Sequence, residues 1–348
     1  MTHRRVLGSV LLSVGLVTAL LGGTPAGAAG GAPVSHRIGG IDGVVGCMTP
    51  TVCVVGGYNA HSIANLITLH AGVPTRIVDV PKTQGVYQVS CPNPSGCVAL
   101  LRTSNDVGVR FATLNAAGAV TKDVLVSLPA GVILGSLACT TTTSCVVAGT
   151  DVFKTPAPYE IGTWTAGKLT LHGVNVPART TDTILNNLAC FRTFCDAIGY
   201  VQRSSQTTGV SIAVTNAHHF ALHTLGSDLP YGISCSSTSL CYADGFRQSG
   251  GVVLTLKDGV MTSSAGTSPD LYGIACVKTS CTAVGKQLAP SGSKSFYWGD
   301  VIPVVGGKAG TAATVPQTDG LESVARVGGD YTGIGLWQSS GSDAVTNA

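Results

Sequence analysis

Short apolar runs, each ended by a turn, recur along this chain at a near-constant interval. In one unit the order is apolar Ile274, small Ala275, Cys276, Cys281 and then Gly285. The same frame returns throughout. The apolar position holds Val45, Val89, Leu137, Leu188, Ile233, Ile274 and Val324. The next position is always small: Gly46, Ser90, Ala138, Ala189, Ser234, Ala275 and Ala325. Four residues after the second cysteine position come Gly57, Gly149, Gly199, Gly245, Gly285 and Gly335, with Leu101 the exception. A third run such as Val252–Leu256 follows, then a turn such as Lys257-Asp258-Gly259, then another strand. Similar hairpin turns are read at Asn115-Ala116-Ala117-Gly118, Thr165-Ala166-Gly167 and Trp298-Gly299-Asp300. Each unit is therefore four short strands joined by turns.

The cysteines set the period. Six pairs occur: Cys47 with Cys53, Cys91 with Cys97, Cys139 with Cys145, Cys190 with Cys195, Cys235 with Cys241, and Cys276 with Cys281. Their first members lie 44, 48, 51, 45 and 41 residues apart, and Arg326 lies 50 beyond Cys276. Val324–Gly335 keeps the frame of Ile274–Gly285 without a gap, with Arg326 and Tyr331 in the two cysteine places. Repeats of this length point to propellers or solenoids. Small residues on one strand alone suit a propeller, whose innermost strands crowd a central axis. The sequence predicts an all-β fold, a seven-bladed β-propeller of four-stranded antiparallel blades. The chain ends Ala344-Val345-Thr346-Asn347-Ala348, which repeats Ala213–Ala217 at the end of a third strand. The last unit is thus expected to stop after three strands. Its outer strand is expected from the mature N-terminus near Pro33–Ile38, closing the ring and removing an exposed edge.

Composition places the chain outside the cell. Arg4 and Arg5 precede an apolar stretch, Val6–Leu21, and Ala26-Gly27-Ala28 offers a cleavage site. Residues 1–28 read as a signal peptide, leaving 29–348 as one domain, secreted and extracellular. The apolar stretch is short for a membrane span. In that setting the six pairs are expected as local disulfides. The spacings suit zinc poorly, and pairs in separate blades would not converge on one ion. Net charge is +3 over the whole chain and about +1 without the leader, which argues against a nucleic-acid partner.

The phrase G-I-x-C-x4-C-x-A-V-G, as in Gly273–Gly285, resembles blades of exported bacterial β-propellers. The strand order is similar to sialidase-repeat and photosystem-assembly-factor blades. The Asp-box of sialidase-type blades is absent from every unit, so the resemblance implies an architecture and carries over no catalytic residue.

Linear motifs for catalysis are few. His218, His219 and His223 fall at the turn and outer strand of the fourth unit, where strand spacing separates His219 from His223 by roughly 13 Å, too far for one ion. The only glutamates are Glu160 and Glu322, and no carboxylate pair of the glycosidase kind is legible. Asp196 and Asp244 read as strand-satisfied groups, and no G-x-S-x-G elbow occurs. What stands out is a row four residues before the first cysteine position, at the entry to each innermost strand: Gly43, Tyr87, Gly135, Asn186, Tyr231, Tyr272 and Glu322. Loops leaving the second strands on the same face bring Arg247 and Trp337. Tyrosine and tryptophan offer an apolar body with a polar tip. The expected function is a non-catalytic binding module that grips a glycan, cell-wall fragment or protein with Tyr87, Asn186, Tyr231, Tyr272, Glu322, Arg247 and Trp337. No catalytic residue, metal or cofactor is expected, and the chain is expected as a monomer. The alternatives are an enzyme, a lyase or hydrolase whose residues converge from several blades, and a scaffold that holds partners on its sides.

Overall fold

The computed structural model describes residues 15–21, 34–39, 41–59, 61–104, 107–204, 206–216, 219–289, 297–315, 318–327 and 330–337. Two strands come first, β1 (Gly15–Leu21) and β2 (Val34–Gly39). Blade 1 holds β3 (Ile41–Cys47), β4 (Val52–Tyr58), β5 (Ala64–His70) and β6 (Val73–Asp79). Blade 2 holds β7 (Thr83–Asn93), β8 (Gly96–Thr103), β9 (Gly108–Asn115) and β10 (Val120–Ser127). In blade 3 come β11 (Val132–Thr141), β12 (Ser144–Asp151), β13 (Tyr159–Thr165) and β14 (Lys168–Val174). Blade 4 has β15 (Asp182–Phe191), β16 (Phe194–Arg203), β17 (Gln206–Thr215) and β18 (His219–Gly226). Blade 5 has β19 (Leu229–Cys235), β20 (Leu240–Arg247), β21 (Gly250–Lys257) and β22 (Val260–Thr267). Blade 6 has β23 (Asp270–Val277), β24 (Ser280–Leu288), β25 (Tyr297–Val305) and an outer edge split into β26 (Lys308–Ala309) and β27 (Ala313–Val315). The chain's last described strands are β28 (Thr318–Val327) and β29 (Asp330–Trp337).

The fold is an all-β propeller of antiparallel blades, each built in chain order from the innermost strand outward. Six blades stand on contiguous chain, against the seven that the repeat predicts. The seventh unit supplies only β28 and β29. They join a four-stranded sheet of order β2-β1-β29-β28, which draws its other half from the start of the chain. Val34–Gly39 is its edge strand. The third place, expected for Ala344–Ala348, is held by Gly15–Leu21, and 344–348 lie outside the described residues. A run of apolar residues suits a central strand as well as it suits a leader. One turn also differs. Trp298-Gly299-Asp300 lies inside β25, and Gly306-Gly307, both at positive φ, makes the turn of that blade.

Burial explains the pattern. The second and third strands are covered on both faces, because each blade stacks between two others. Leu100 and Phe111 of blade 2 share a core with Leu137, Val147 and Trp164 of blade 3. The Phe111 and Trp164 rings stack at 4.7 Å between centroids. Outer strands such as Val73–Asp79 hold only exposed and half-buried positions.

The small row does what crowding requires. A Cβ on Gly46 would lie 3.0 Å from the Cys91 sulfur and 3.0 Å from the Val89 carbonyl of the next blade. Where the row holds serine, it bonds across the gap. Ser90 Oγ accepts from Cys139 N–H at 2.9 Å, and Ser234 Oγ accepts from Cys276 N–H at 3.0 Å.

All six expected pairs are disulfides. Cys47 is bonded to Cys53, Cys91 to Cys97, Cys139 to Cys145, Cys190 to Cys195, Cys235 to Cys241 and Cys276 to Cys281. Each bond ties a first strand to the second across their connecting turn. The second cysteines, Cys53, Cys97, Cys145, Cys195, Cys241 and Cys281, are all buried in the blade cores. They are therefore staples of the frame and form no part of a ligand surface. The bonds point to an oxidising, extracellular environment. Each closes a loop of only 5 or 6 residues, so the entropic gain is about 2 kcal/mol apiece.

Asp196 of β16 is fully buried between Ala189 and Ala213, and neither carboxyl oxygen has a well-formed hydrogen bond. Burial pushes its pKa up to about 8, against the smaller opposing effects of Ser211 and the Ile212 backbone. The raised value means that the folded state prefers the protonated form. This contribution to stability is complete below the ordinary carboxyl pKa near 3.8 and is lost as pH rises through about 8. We expect Asp196→Asn to remove it. Between pH 5 and 7 the wild type should lose roughly 2–3 kcal/mol more stability than the variant, at about 1.4 kcal/mol per pH unit, read from urea unfolding at the two pH values. Parallel curves for the two proteins would show that Asp196 is ionised in the fold.

Candidate functional site

Every innermost strand breaks register at the same place. The breaks fall between Asp42 and Val44, Val86 and Gln88, Leu134 and Ser136, Leu185 and Asn187, Pro230 and Gly232, Leu271 and Gly273, and Leu321 and Ser323. The residue skipped is Gly43, Tyr87, Gly135, Asn186, Tyr231, Tyr272 or Glu322. The row singled out in the sequence is thus a row of β-bulges. A bulged residue has no cross-strand partner, and its side chain leaves the regular alternation of the strand.

The glycine row is the other half of this device. Each such glycine pairs with the residue just before the bulge, as Gly149 does with Leu134 and Gly285 with Leu271. There the innermost strand folds its carbonyl over the second strand. A Cβ on Gly149, Gly199, Gly245 or Gly285 would lie between 1.8 and 2.1 Å from the carbonyl oxygen of Ile133, Ile184, Leu229 or Asp270. No side chain fits.

The bulge positions are chemically unequal. Gly43 and Gly135 leave open space, with nothing within 4 Å of an added Cβ. Tyr87 between them packs on the core of blades 2 and 3. Asn186 is tied down: its Nδ2 donates to Pro230 O at 2.7 Å, and its carbonyl accepts from Ser136 Oγ at 3.2 Å. Tyr231 and Tyr272 meet edge to face at 5.5 Å, and Phe246 lies 5.9 Å from Tyr231. Lys286 stands between two rings, its Nζ 4.9 Å from the centroids of both Tyr272 and Tyr297. Its amine is pushed above the ordinary lysine value, first by a hydrogen bond with Tyr272. Glu322 is exposed, yet desolvation raises its carboxyl pKa and nearby Lys286 opposes the shift.

Two of the expected site residues do other work, or are not placed. Arg247 clamps the outer strand of blade 5. Its Nη2 donates to Asp228 Oδ2 at 3.2 Å and also to Ser264 Oγ, while Ser264 Oγ donates to Asp228 Oδ2 at 2.7 Å. Ser264 sits on β22, far from the innermost strand in the sheet order, so Arg247 is no partner of Glu322. Trp337 ends β29 opposite Thr318, and its side chain lies outside what the structure describes. Sequence reasoning missed Tyr297, which reaches the arc from the third strand of blade 6. The buried Asp244 of blade 5 and Asp300 of blade 6 are structural as well. Asp244 Oδ1 accepts from Gly232 N–H at 2.7 Å, next to the Tyr231 bulge. Asp300 Oδ1 accepts from Gln287 Nε2 at 2.9 Å and Thr314 Oγ1 at 3.0 Å.

Blade 3 adds an apolar knob on the same face. Phe153 is 76% exposed, beside exposed Val152 and Ile133. Its loop is held from below. Phe153 N–H donates to Asp151 Oδ1 at 3.1 Å, Val152 N–H donates to Gly131 O at 2.9 Å, and Lys154 pairs with Asp151 at 2.8 Å. Among the described residues no group of three or more His, Cys, Asp or Glu is placed to hold a metal ion, and no helix is long and apolar enough to cross a membrane.

We expect Arg247→Ala to cost about 1–2 kcal/mol of stability, because the guanidinium is partly solvated and its pairing is worth less than a buried one. Ligand affinity should be unchanged in the folded variant. Lost affinity with unchanged stability would return Arg247 to the site.

No family model and no curated protein sequence matches this chain. Solved structures do. One described as U3-55K is 8% identical, with a TM-score of 0.56 over 82% of this chain and 84% of that one. The WD40 repeats of RRP9 give 8% identity and a TM-score of 0.55 over 85% and 94%. YCF48 bound to D1 peptide gives 10% identity and a TM-score of 0.52 over 92% and 96%. At such identities these likenesses show the fold alone: this chain is a β-propeller.

Proposed function

We propose that this protein is an exported, non-catalytic binding module, and that a protein or peptide segment docks on the face of the bulged residues. The observation that carries this reading is the aromatic arc Phe246–Tyr231–Tyr272–Lys286–Tyr297 at and beside consecutive bulges. Aromatic side chains on a rigid frame supply large contact area at little entropic cost. Exposed apolar side chains support the same face. Ile133, Val152, Phe153, Ile184, Tyr231 and Leu288 all stand at strand ends or loops on that side. Such a surface suits a polypeptide better than a glycan or cell-wall fragment, and YCF48, a structural neighbour, is described with a peptide bound.

In this reading the sheet β2-β1-β29-β28 acts as the seventh blade and closes the ring of a monomer. Its contacts on both sides support that role. Val45 N–H of blade 1 donates to Ser323 Oγ at 3.3 Å, and Arg326 Nη1 donates to Ser280 O of blade 6 at 2.6 Å. Arg326 in the first cysteine's place thus makes an inter-blade bond instead of a staple. Glu322 favours the second reading, a lyase or hydrolase, because a raised carboxyl at a channel mouth fits a proton donor. The charged group that acts on it is Lys286, while Arg247 is held by Asp228 and Ser264, and the aromatic arc makes binding the better supported function.

The test is binding of the wild type and a Tyr231→Ala/Tyr272→Ala variant to a peptide array, cell-wall fractions and a glycan panel, with folding checked by thermal unfolding. Loss of peptide affinity by about 10-fold or more in the variant, worth about 1.4 kcal/mol, is expected. Equal binding by both proteins would move the site to the blade sides. Binding only to glycans would replace the polypeptide partner. Turnover of a panel substrate that is lost in Glu322→Gln would establish the enzyme reading.

A further inference from the structure

The bulges of blades 5 and 6 differ from the rest in what lies behind them. The place three residues after the second cysteine position reads Gly56, Leu100, Ala148, Ile198, Asp244, Val284 and Ile334, so blade 5 alone puts a carboxyl there. The residue that follows each bulge reads Val44, Gln88, Ser136, Asn187, Gly232, Gly273 and Ser323, and glycine stands there only in blades 5 and 6. These exceptions meet in space. Gly232 is the ladder partner of Asp244. A Cβ on Gly232 would lie 2.4 Å from Asp244 Oδ1 and 2.8 Å from the Gly273 Cα. Because Gly232 has no side chain, the carboxyl and the innermost strand of blade 6 both come up to its backbone.

The carboxyl acts on the peptide units that follow both tyrosines. Oδ1 accepts from Gly232 N–H at 2.7 Å, and that N–H belongs to the Tyr231–Gly232 peptide. Gly273 N–H, of the Tyr272–Gly273 peptide, bears on the same carboxyl, as does the N–H of Asp244 itself. The side chain is fully buried, and its Oδ2 has no well-formed hydrogen bond among the described residues. The two rings on these peptides meet edge to face at 5.5 Å. Ties at other bulges are neutral. Ser136 Oγ donates to Asn186 O, Asn186 Nδ2 donates to Pro230 O, and Val45 N–H donates to Ser323 Oγ. Between blades 5 and 6 the tie is a group that can ionise.

We propose that Asp244 is a positioning residue for the binding face: its carboxylate draws together the backbones behind Tyr231 and Tyr272 and so sets the ring pair that a ligand meets. The proposal rests on the reading of that face as a polypeptide-binding surface. Burial raises the Asp244 pKa to about 7, and the three N–H groups, which favour the ionised form, offset only part of the rise. Tyr242 and Arg247 share its strand, and the strands packed on it bring Tyr231, Lys257, Asp270 and Tyr272. Burial and the backbone groups account for its value without them. The carboxylate therefore predominates above about pH 7 and the neutral acid below it. A hydrogen bond to an ionised acceptor is roughly twice as strong as one to a neutral acceptor. The ring pair is held more firmly on the alkaline side, and affinity rises with pH.

NMR of the full chain with 13C-labelled tyrosine tests this with no ligand present. Tyr231→Phe and Tyr272→Phe assign the two ring signals, and Tyr58 of blade 1 is the reference. From about pH 5.5 to about 8.5 the Tyr231 and Tyr272 signals should shift together with one midpoint near 7, and Tyr58 should not follow. Asp244→Asn keeps the shape and the Oδ1 acceptor but never ionises. In that variant both signals should stay still at the wild type's acid-side positions. Stationary rings in the wild type would overturn the proposal, and so would rings that titrate equally in Asp244→Asn. If that variant does not fold, Glu322→Gln decides. A shared midpoint that persists without the carboxyl of the adjoining bulge supports Asp244, and one that disappears assigns the effect to Glu322 and overturns the proposal. Calorimetry then reads affinity for end-capped array peptides that lack His, Cys, Asp and Glu, so that the peptide does not titrate. Wild-type affinity should rise about 5-fold or more across the range, and Asp244→Asn should bind at the wild type's acid-side level throughout. Flat wild-type affinity above titrating rings would overturn the positioning role. If no such peptide binds at any pH, the polypeptide reading falls, and the ring titration still decides what Asp244 does to the pair.

Discussion

A carbonyl oxygen folded over a glycine sets the geometry of this molecule. At the entry to each innermost strand one extra residue is inserted, and the backbone before it swings onto the second strand. The approach leaves about 2 Å where a Cβ would stand, as at Gly199 under Ile184 O. In every blade but the second, where Leu101 pairs with Val86, a glycine on the second strand faces the residue before the bulge on the first. The bulge adds local twist, and the small residue three positions later lets the next blade come close. The bulge row and the close approach of the blades both lie beside this contact.

Much of this could be read from residue order. The small row, the cysteine pairs and the glycine row each name a strand position, because each is forced by backbone crowding that tolerates few residue types. The row four residues before the first cysteine place was legible by its spacing, but that it is a row of bulges was not, because a register break leaves no residue type of its own. Side-chain direction was not. Arg247 leaves the second strand on the right face, but Asp228 and Ser264 draw it outward, and nothing local to Arg247 announces partners 19 and 17 residues away. Tyr297 follows a long connection and has no counterpart in other units. Trp298-Gly299-Asp300 looks like a turn by composition, yet the paired glycines Gly306 and Gly307, both at positive φ, take the turn instead. An apolar run near the start reads equally well as leader or strand, because both need only a run of non-polar residues.

The buried carboxyls follow the same logic of place. Asp244 binds the N–H that the Tyr231 bulge leaves unpaired, and Asp300 gathers Gln287 and Thr314. Burial raises them to about 7 and about 6. Both belong to the frame behind the aromatic arc. The bulge row itself is lopsided: Gly43 and Gly135 leave open space on either side of Tyr87, and rings, an amine and a carboxyl follow at Tyr231, Tyr272, Lys286 and Glu322.

A bulged side chain answers to no ladder partner, and the seven bulges differ in how far the fold holds them. The row of bulges is a set of sockets on a fixed base, some tied into the fold, as at Tyr87 and Asn186, and some open. Gly43 and Gly135 show that a socket can be left empty, and Glu322 shows that it can carry charge. A chain built on this frame can change the chemistry it presents at the open sockets by single replacements, while the stapled strands behind them stay as they are.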